Sequence, residues 1–88
     1  MSELSYGDQI FKLLQQCNRQ CHTPDLHTFQ ADIEHGTVWV ECRGFEIYIE
    51  SRTYDNDGKE TVKEWAGTTI AAANRLEHLK IDLNTVAI

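Results

Sequence analysis

The chain has 88 residues, 41% of them hydrophobic, and 14 Asp plus Glu against 8 Lys plus Arg, for a formal net charge of -6. A chain of this size buries roughly 60 to 70% of the surface its unfolded form exposes, enough for one core, so residues 1–88 read as a single small domain. The charge disfavours direct contact with nucleic acid or an anionic membrane, and the basic residues, no two of them adjacent, draw no electrostatic stripe; a basic protein surface is the partner this balance suits.

The N-terminal stretch MSELSYGDQIFKLLQQ has acids before its first lysine and no long apolar run. It reads as neither a secretory signal nor a membrane anchor, which leads to the expectation of a cytoplasmic protein. Cys17, Cys21 and Cys42 are an odd number of cysteines, which favours reduced thiols over a disulfide framework.

Ser5, with Asp8 three residues on, resembles a capping box and predicts the start of a helix. From there Tyr6, Ile10, Leu13, Leu14, Cys17 and Cys21 fall within an arc roughly 100° wide, and the helix is expected to end before Pro24. His22 to His27 then reads as the connection into a strand.

Residues 29 to 49 predict a three-stranded antiparallel meander. Two-residue turns at His35-Gly36 and Arg43-Gly44 would set Ile33 opposite Val38 and Val38 opposite Ile49, with Ala31, Val40 and Ile47 in the next row, then Phe29, Cys42 and Phe45. The opposite face would carry Asp32, Trp39 and Tyr48 in one row, Gln30, Glu41 and Glu46 in another, and Glu34, Thr37 and Glu50 in a third. One face is thus apolar or small, and the other is acidic with an aromatic centre.

Asp55-Asn56-Asp57-Gly58 supplies turn chemistry after the third strand. As a four-residue hairpin loop it would place Lys63 opposite Glu50 and Trp65 opposite Tyr48, a fourth strand that adds Trp65 to the outer aromatics. That register also puts Glu64 opposite Ile49, and Val62, Trp65, Thr69, Ala72, Leu76 and Leu79 keep a helical spacing, so a longer last helix is the alternative. A second helix is expected from Thr69 to about Lys80 with Thr68 as its N-cap. The tail, Ile81 to Ile88, is too apolar for a free end and would cover the outer face, add an edge strand or join an oligomer contact.

No motif in the chain names a reaction, and no cofactor is implied. Cys17, Cys21, His22 and His27 offer ligands that zinc favours, at a spacing that matches no standard finger, and both cysteines fall in the apolar stripe, where a reduced thiol acts as a small hydrophobe. Cys42 points to the same core. Glu41 and Glu46, expected to face each other, lack a nucleophile or oxyanion donor, so no catalytic dyad is assigned. Asp55 to Glu60 resembles the start of a calcium loop, but the twelfth position is Ala66, which leaves a tight turn.

The order of helix, three strands and helix resembles that of double-stranded RNA-binding domains. That family grips phosphates with lysines at the start of its second helix, where this chain has Trp65-Ala66-Gly67-Thr68-Thr69-Ile70, so the resemblance covers element order and carries no RNA binding. The fold expected is α+β, an antiparallel sheet of three or four strands with an N-terminal and a C-terminal helix on one face. The function expected is a non-catalytic acidic interaction module that meets a basic partner through Asp32, Glu34, Trp39, Glu41, Glu46, Tyr48, Glu50 and Trp65. Its sharper form is an inhibitor that mimics nucleic-acid phosphates, as small viral counter-defence proteins do. The rivals are a homodimer that buries the same face and a small zinc protein using Cys17, Cys21, His22 and His27.

Overall fold

Helix α1 (Tyr6–Gln20) begins at its capping pair: Ser5 Oγ accepts a hydrogen bond from the Asp8 amide at 3.1 Å, and Ser5 O accepts one from the Gln9 amide at 3.0 Å. Strands β1 (His27–Ile33), β2 (Gly36–Arg43), β3 (Glu46–Tyr54) and β4 (Glu60–Gly67) follow, then helix α2 (Thr69–Leu79) and strand β5 (Asp82–Ala87). This computed structural model describes residues 4–20, 27–43 and 46–87. The sheet is antiparallel, in the order β4-β3-β2-β1-β5, so the fourth strand exists and the tail adds a fifth at the β1 edge.

Both helices lie on one side of the sheet, α1 over β1 and β2, α2 over β3 and β4, and they touch each other. Ile10, Leu14 and Cys17 of α1 meet Phe29, Val38, Val40, Cys42, Ile47 and Ile49 of the sheet and Ala72, Ala73 and Leu76 of α2 in one buried cluster. Each large aliphatic there contributes about 1.5–3 kcal/mol by leaving water. Thr68 caps α2, its Oγ1 accepting from the Ala71 amide at 3.2 Å, and Lys80 ends it in the left-handed region at φ 58°. The Tyr6 hydroxyl donates to the Ile81 carbonyl and ties the start of α1 to the α2–β5 connection. Burial, then the charges of Glu77 and Asp82, push the Tyr6 phenol up. Strand β5 pairs irregularly with β1, and Thr85 Oγ1 accepts from the Asp32 amide at 2.8 Å there.

The meander departs from the expected register. Its first turn is Glu34-His35, with Ile33 paired to Gly36, Ala31 to Val38 and Phe29 to Val40. Arg43 stays in β2 and pairs with Glu46, while Val40 pairs with Ile49 and Cys42 with Ile47. The second reversal, and Phe45 with it, lie outside the described residues. Both registers are displaced by two residues, which changes every partner and leaves every side chain on its expected face. His35 supplies the positive φ, 62°, of the first turn. Gly36 is required for another reason: a β-carbon there would sit 1.8 Å from the Arg52 carbonyl oxygen.

The β3–β4 loop is one residue longer than expected. Gly58, at φ 79°, donates its amide to Asp55 O at 2.9 Å, and the Asp55 amide donates to Lys59 O at 3.1 Å, so the five residues from Asp55 to Lys59 close as a tight turn with a glycine bulge. Asp55 Oδ1 accepts from the amides of Asp57 at 2.9 Å and Lys59 at 2.8 Å, which holds the loop closed. Tyr54 therefore pairs with Glu60, Ile49 with Trp65 and Glu50 with Glu64. An offset of one turns a strand over, so Trp65 faces the helices and Glu64 faces outward, the reverse of the expected assignment. Lys63, expected opposite Glu50, pairs with Ser51. The Trp65 ring fills the space over Gly67, where a β-carbon would lie 2.7 Å from it.

These two glycines should respond differently to alanine. Gly36→Ala forces β2 away from β3 and is expected to cost about 2–3 kcal/mol. Gly58→Ala, with a positive φ but nothing within 4 Å of the new β-carbon, should cost about 1 kcal/mol. Urea unfolding of both variants checks the order.

Candidate functional site

The face turned away from the helices is built from alternate residues of β1 to β4. Its rows run Gln30, Trp39, Glu50 and Glu64; Asp32, Thr37, Arg52 and Val62; Thr28, Glu41, Tyr48 and Ala66; and Arg43 with Glu46. Asp32, Trp39, Glu41, Glu46, Tyr48 and Glu50 are thus brought together, though in different rows from those expected. Glu34 is apart from them in the first turn, 3.6 Å from His35, and Trp65 is on the helix side.

Glu41 and Glu46 do not oppose each other, because the two-residue displacement puts Arg43 opposite Glu46 and Tyr48 opposite Glu41. Arg43 instead joins them. Its Nε and Nη2 donate to the Glu41 carboxylate at 2.9 and 3.2 Å, its Nη1 lies 3.8 Å from Glu46, and its guanidinium stands 4.6 Å from the Tyr48 ring centroid. The Glu41 side chain is only 8% exposed, so a two-pronged partner is what such a carboxylate needs. The bond to Glu41 is also the main cause of the raised Arg43 pKa.

Tyr48 is the hub of the face. Its hydroxyl lies 2.8 Å from Glu64 Oε1 and 3.2 Å from Glu50 Oε2, and its ring meets Trp39 edge-on with centroids 5.9 Å apart. The hydrogen bond to Glu64 is the largest of the causes that push the phenol up to about 12, followed by desolvation and the charges of Glu50 and Glu64. Arg52 donates from Nη2 to Glu50 at 2.9 Å and reaches Glu60 at 3.5 Å, and the Tyr54 hydroxyl donates to Glu60 at 2.9 Å. Next to this network Trp39 is 37% exposed, and with Gln30, Thr37, Glu50 and Arg52 it lines an open concavity of about 320 Å³.

Asp32, Glu41, Glu46, Glu50, Glu60 and Glu64 set six carboxylates on this face against the two guanidiniums of Arg43 and Arg52, a net of four negative charges out of the chain's -6. Sequence reasoning missed Arg43, Arg52, Tyr54, Glu60 and Glu64 as members. Strand parity was the available signal for the first three, since Arg52 and Tyr54 share the spacing of Glu46, Tyr48 and Glu50, and Arg43 that of Trp39 and Glu41. For Glu60 and Glu64 the signal lay in the length of the preceding loop.

Among the described residues no group of three or more His, Cys, Asp and Glu is placed to hold a metal ion. Of the zinc set, Cys17 is buried in the core, and Cys21, His22 and the His27 side chain lie outside the described residues. His35 and His78 are exposed. No described helix is long and apolar enough to cross a membrane. Comparison with protein-family models, curated proteins and solved structures gave no match.

The Tyr48 phenol should resist ionisation until about pH 12. Because its folded pKa stands above the ordinary 10.0, the stability linked to it is intact below pH 10 and is lost as pH rises through about 12. Glu64→Gln removes the charged acceptor and should move the Tyr48 titration down towards 10.0, followed by phenolate absorbance or tyrosine ring NMR shifts.

Proposed function

We propose that the outer sheet face docks onto a basic protein surface and that the chain is a non-catalytic interaction module. The observation that carries this reading is the concentration of six carboxylates against two arginines around an exposed Trp39. Charge complementarity draws such a face to a positive surface, and an aromatic beside a concavity gives the contact an anchor. The acids on β2 to β4 are held by Arg43, Arg52, Tyr48 and Tyr54, so little side-chain freedom is lost when a partner arrives. In its sharper form the chain is an inhibitor that places carboxylates where a partner's groove would take nucleic-acid phosphates, the strategy of small viral counter-defence proteins. A homodimer through this face would set like charge against like charge, which disfavours that rival.

The test separates this face from net charge alone. An arginine-rich peptide is titrated into a Trp65→Phe variant, in which the remaining tryptophan, Trp39, reports binding by fluorescence. Glu46→Lys with Glu64→Lys should weaken the complex roughly tenfold or more and flatten its salt dependence. Asp8→Lys with Glu77→Lys, an equal charge change on the helices, should leave it within about twofold, close to wild type. Equal weakening by both pairs, or an unchanged Trp39 signal, would reject the reading.

A further inference from the structure

We propose that the basic partner binds as an extended segment added antiparallel along the free edge of β4, with basic residues opposite Glu60 and Glu64 and an apolar residue opposite Val62. This rests on the docking reading and names the form its partner takes. The five-stranded sheet ends at β4, which among the described residues has β3 as its only strand neighbour. β4 runs for 8 residues without a proline, pairs with β3 without a break and is exposed along most of its length. At the other edge, β5 is shorter and its pairing is irregular.

The turn before β4 fixes which of its backbone groups point outward. The Asp55 amide donates to Lys59 O, so Asp55 and Lys59 are a hydrogen-bonded pair, and such pairs recur at every second position of an antiparallel ladder. Thr61, Lys63, Trp65 and Gly67 therefore bond to β3, and the amides and carbonyls of Glu60, Val62, Glu64 and Ala66 point away from it. The side chains of those same four residues lie on the outer face. A strand added at this edge exchanges hydrogen bonds with them, and its residues directly opposite put their side chains on that face too. A cation is favoured opposite Glu60 and Glu64, and an apolar side chain opposite Val62, which is 43% exposed. Glu64 gains most: it stands opposite Glu50, accepts from the Tyr48 hydroxyl at 2.8 Å, and is in none of the ion pairs among the described residues. A second copy of this chain fits the edge poorly, because the two longest antiparallel registers of β4 on β4 set Lys63 opposite Lys63 or Glu64 opposite Glu64.

The probe is a capped threonine peptide with arginine at its third and seventh positions and valine at its fifth, titrated into the isotope-labelled chain and followed by NMR. Aligned antiparallel, its arginines meet Glu64 and Glu60 and its valine meets Val62. N-methylation of the two arginines and the valine removes the amides turned towards β4 and should weaken binding roughly tenfold or more. N-methylation of the threonines between them, whose amides point away, should change it by less than about twofold, at the same peptide charge. Amide exchange at Glu60, Val62, Glu64 and Ala66 should slow in the complex. Val62→Pro, which removes an outward amide and leaves the ladder to β3, should lose the peptide, and retained binding by the folded variant would count against the proposal. Equal binding of the two methylated peptides, unchanged exchange at the four amides, or no binding of the probe overturns it; so does protection of those amides that grows with concentration in the free chain, which assigns the edge to a second copy. If the arginine-rich peptide still reports through Trp39 and still depends on Glu46 and Glu64, the docking reading outlives that failure; if it does not, both fall.

Discussion

Alternation of side chains along a pleated strand is the constraint from which both halves of this molecule follow. Phe29, Ala31, Val38, Val40, Cys42, Ile47 and Ile49 all fall on the parity that faces the helices, and every one is buried. Their neighbours in sequence are obliged to form the other surface, whatever that surface does. A loop that shifts pairing by two residues slides the strands and preserves the faces; a loop that shifts it by one exchanges them. The molecule contains both cases. The displaced registers of β1, β2 and β3 kept Trp39, Glu41 and Tyr48 outward, whereas the single extra residue between β3 and β4 sent Trp65 in and Glu64 out.

That last exchange settles the packing on both sides of β4. With Trp65 inward, its ring lies against the core and over Gly67, beside a strand pair that otherwise offers Ser51, Thr53, Thr61 and Lys63 to the helix side. With Glu64 outward, the chain avoids a carboxylate opposite Ile49, a position where burial of an unpaired charge would be costly. Core and surface are therefore satisfied by the same five-residue connection, which Asp55 holds through two side-chain and two backbone hydrogen bonds.

What was legible in the sequence was local or periodic. Ser5 and Thr68 announced both helix starts because capping links residues three apart, and the apolar alternation announced the two faces of the sheet. What was illegible depended on contacts distant in sequence. Gly36 looked like a turn residue, but its glycine is demanded by the Arg52 carbonyl of the neighbouring strand, and the exposed His35 takes the positive φ instead. Arg43 before Gly44 likewise reads as a turn residue, which hides its place on the outer face beside Glu41 and Glu46. Trp65 belongs with the outer aromatics in a four-residue loop and with the core in the five-residue loop that forms. The tail's apolar character was legible, but only the β1 edge with its Thr85 contact to Asp32 decides which of three uses it has.

The outer face contributes little as a stabilising network. Exposed ion pairs contribute little to folding, and Glu50 directly opposite Glu64 is a cross-strand pairing of like charges that works against the sheet. Tyr48 mitigates that repulsion with one hydroxyl proton between two carboxylates, an arrangement weaker than a cation would provide. Were stability the only constraint, a lysine at position 64 would neutralise Glu50 and leave the core untouched. A face with two cations for six anions keeps its charge unbalanced at a cost to the isolated chain, a cost that the docking proposed above would offset.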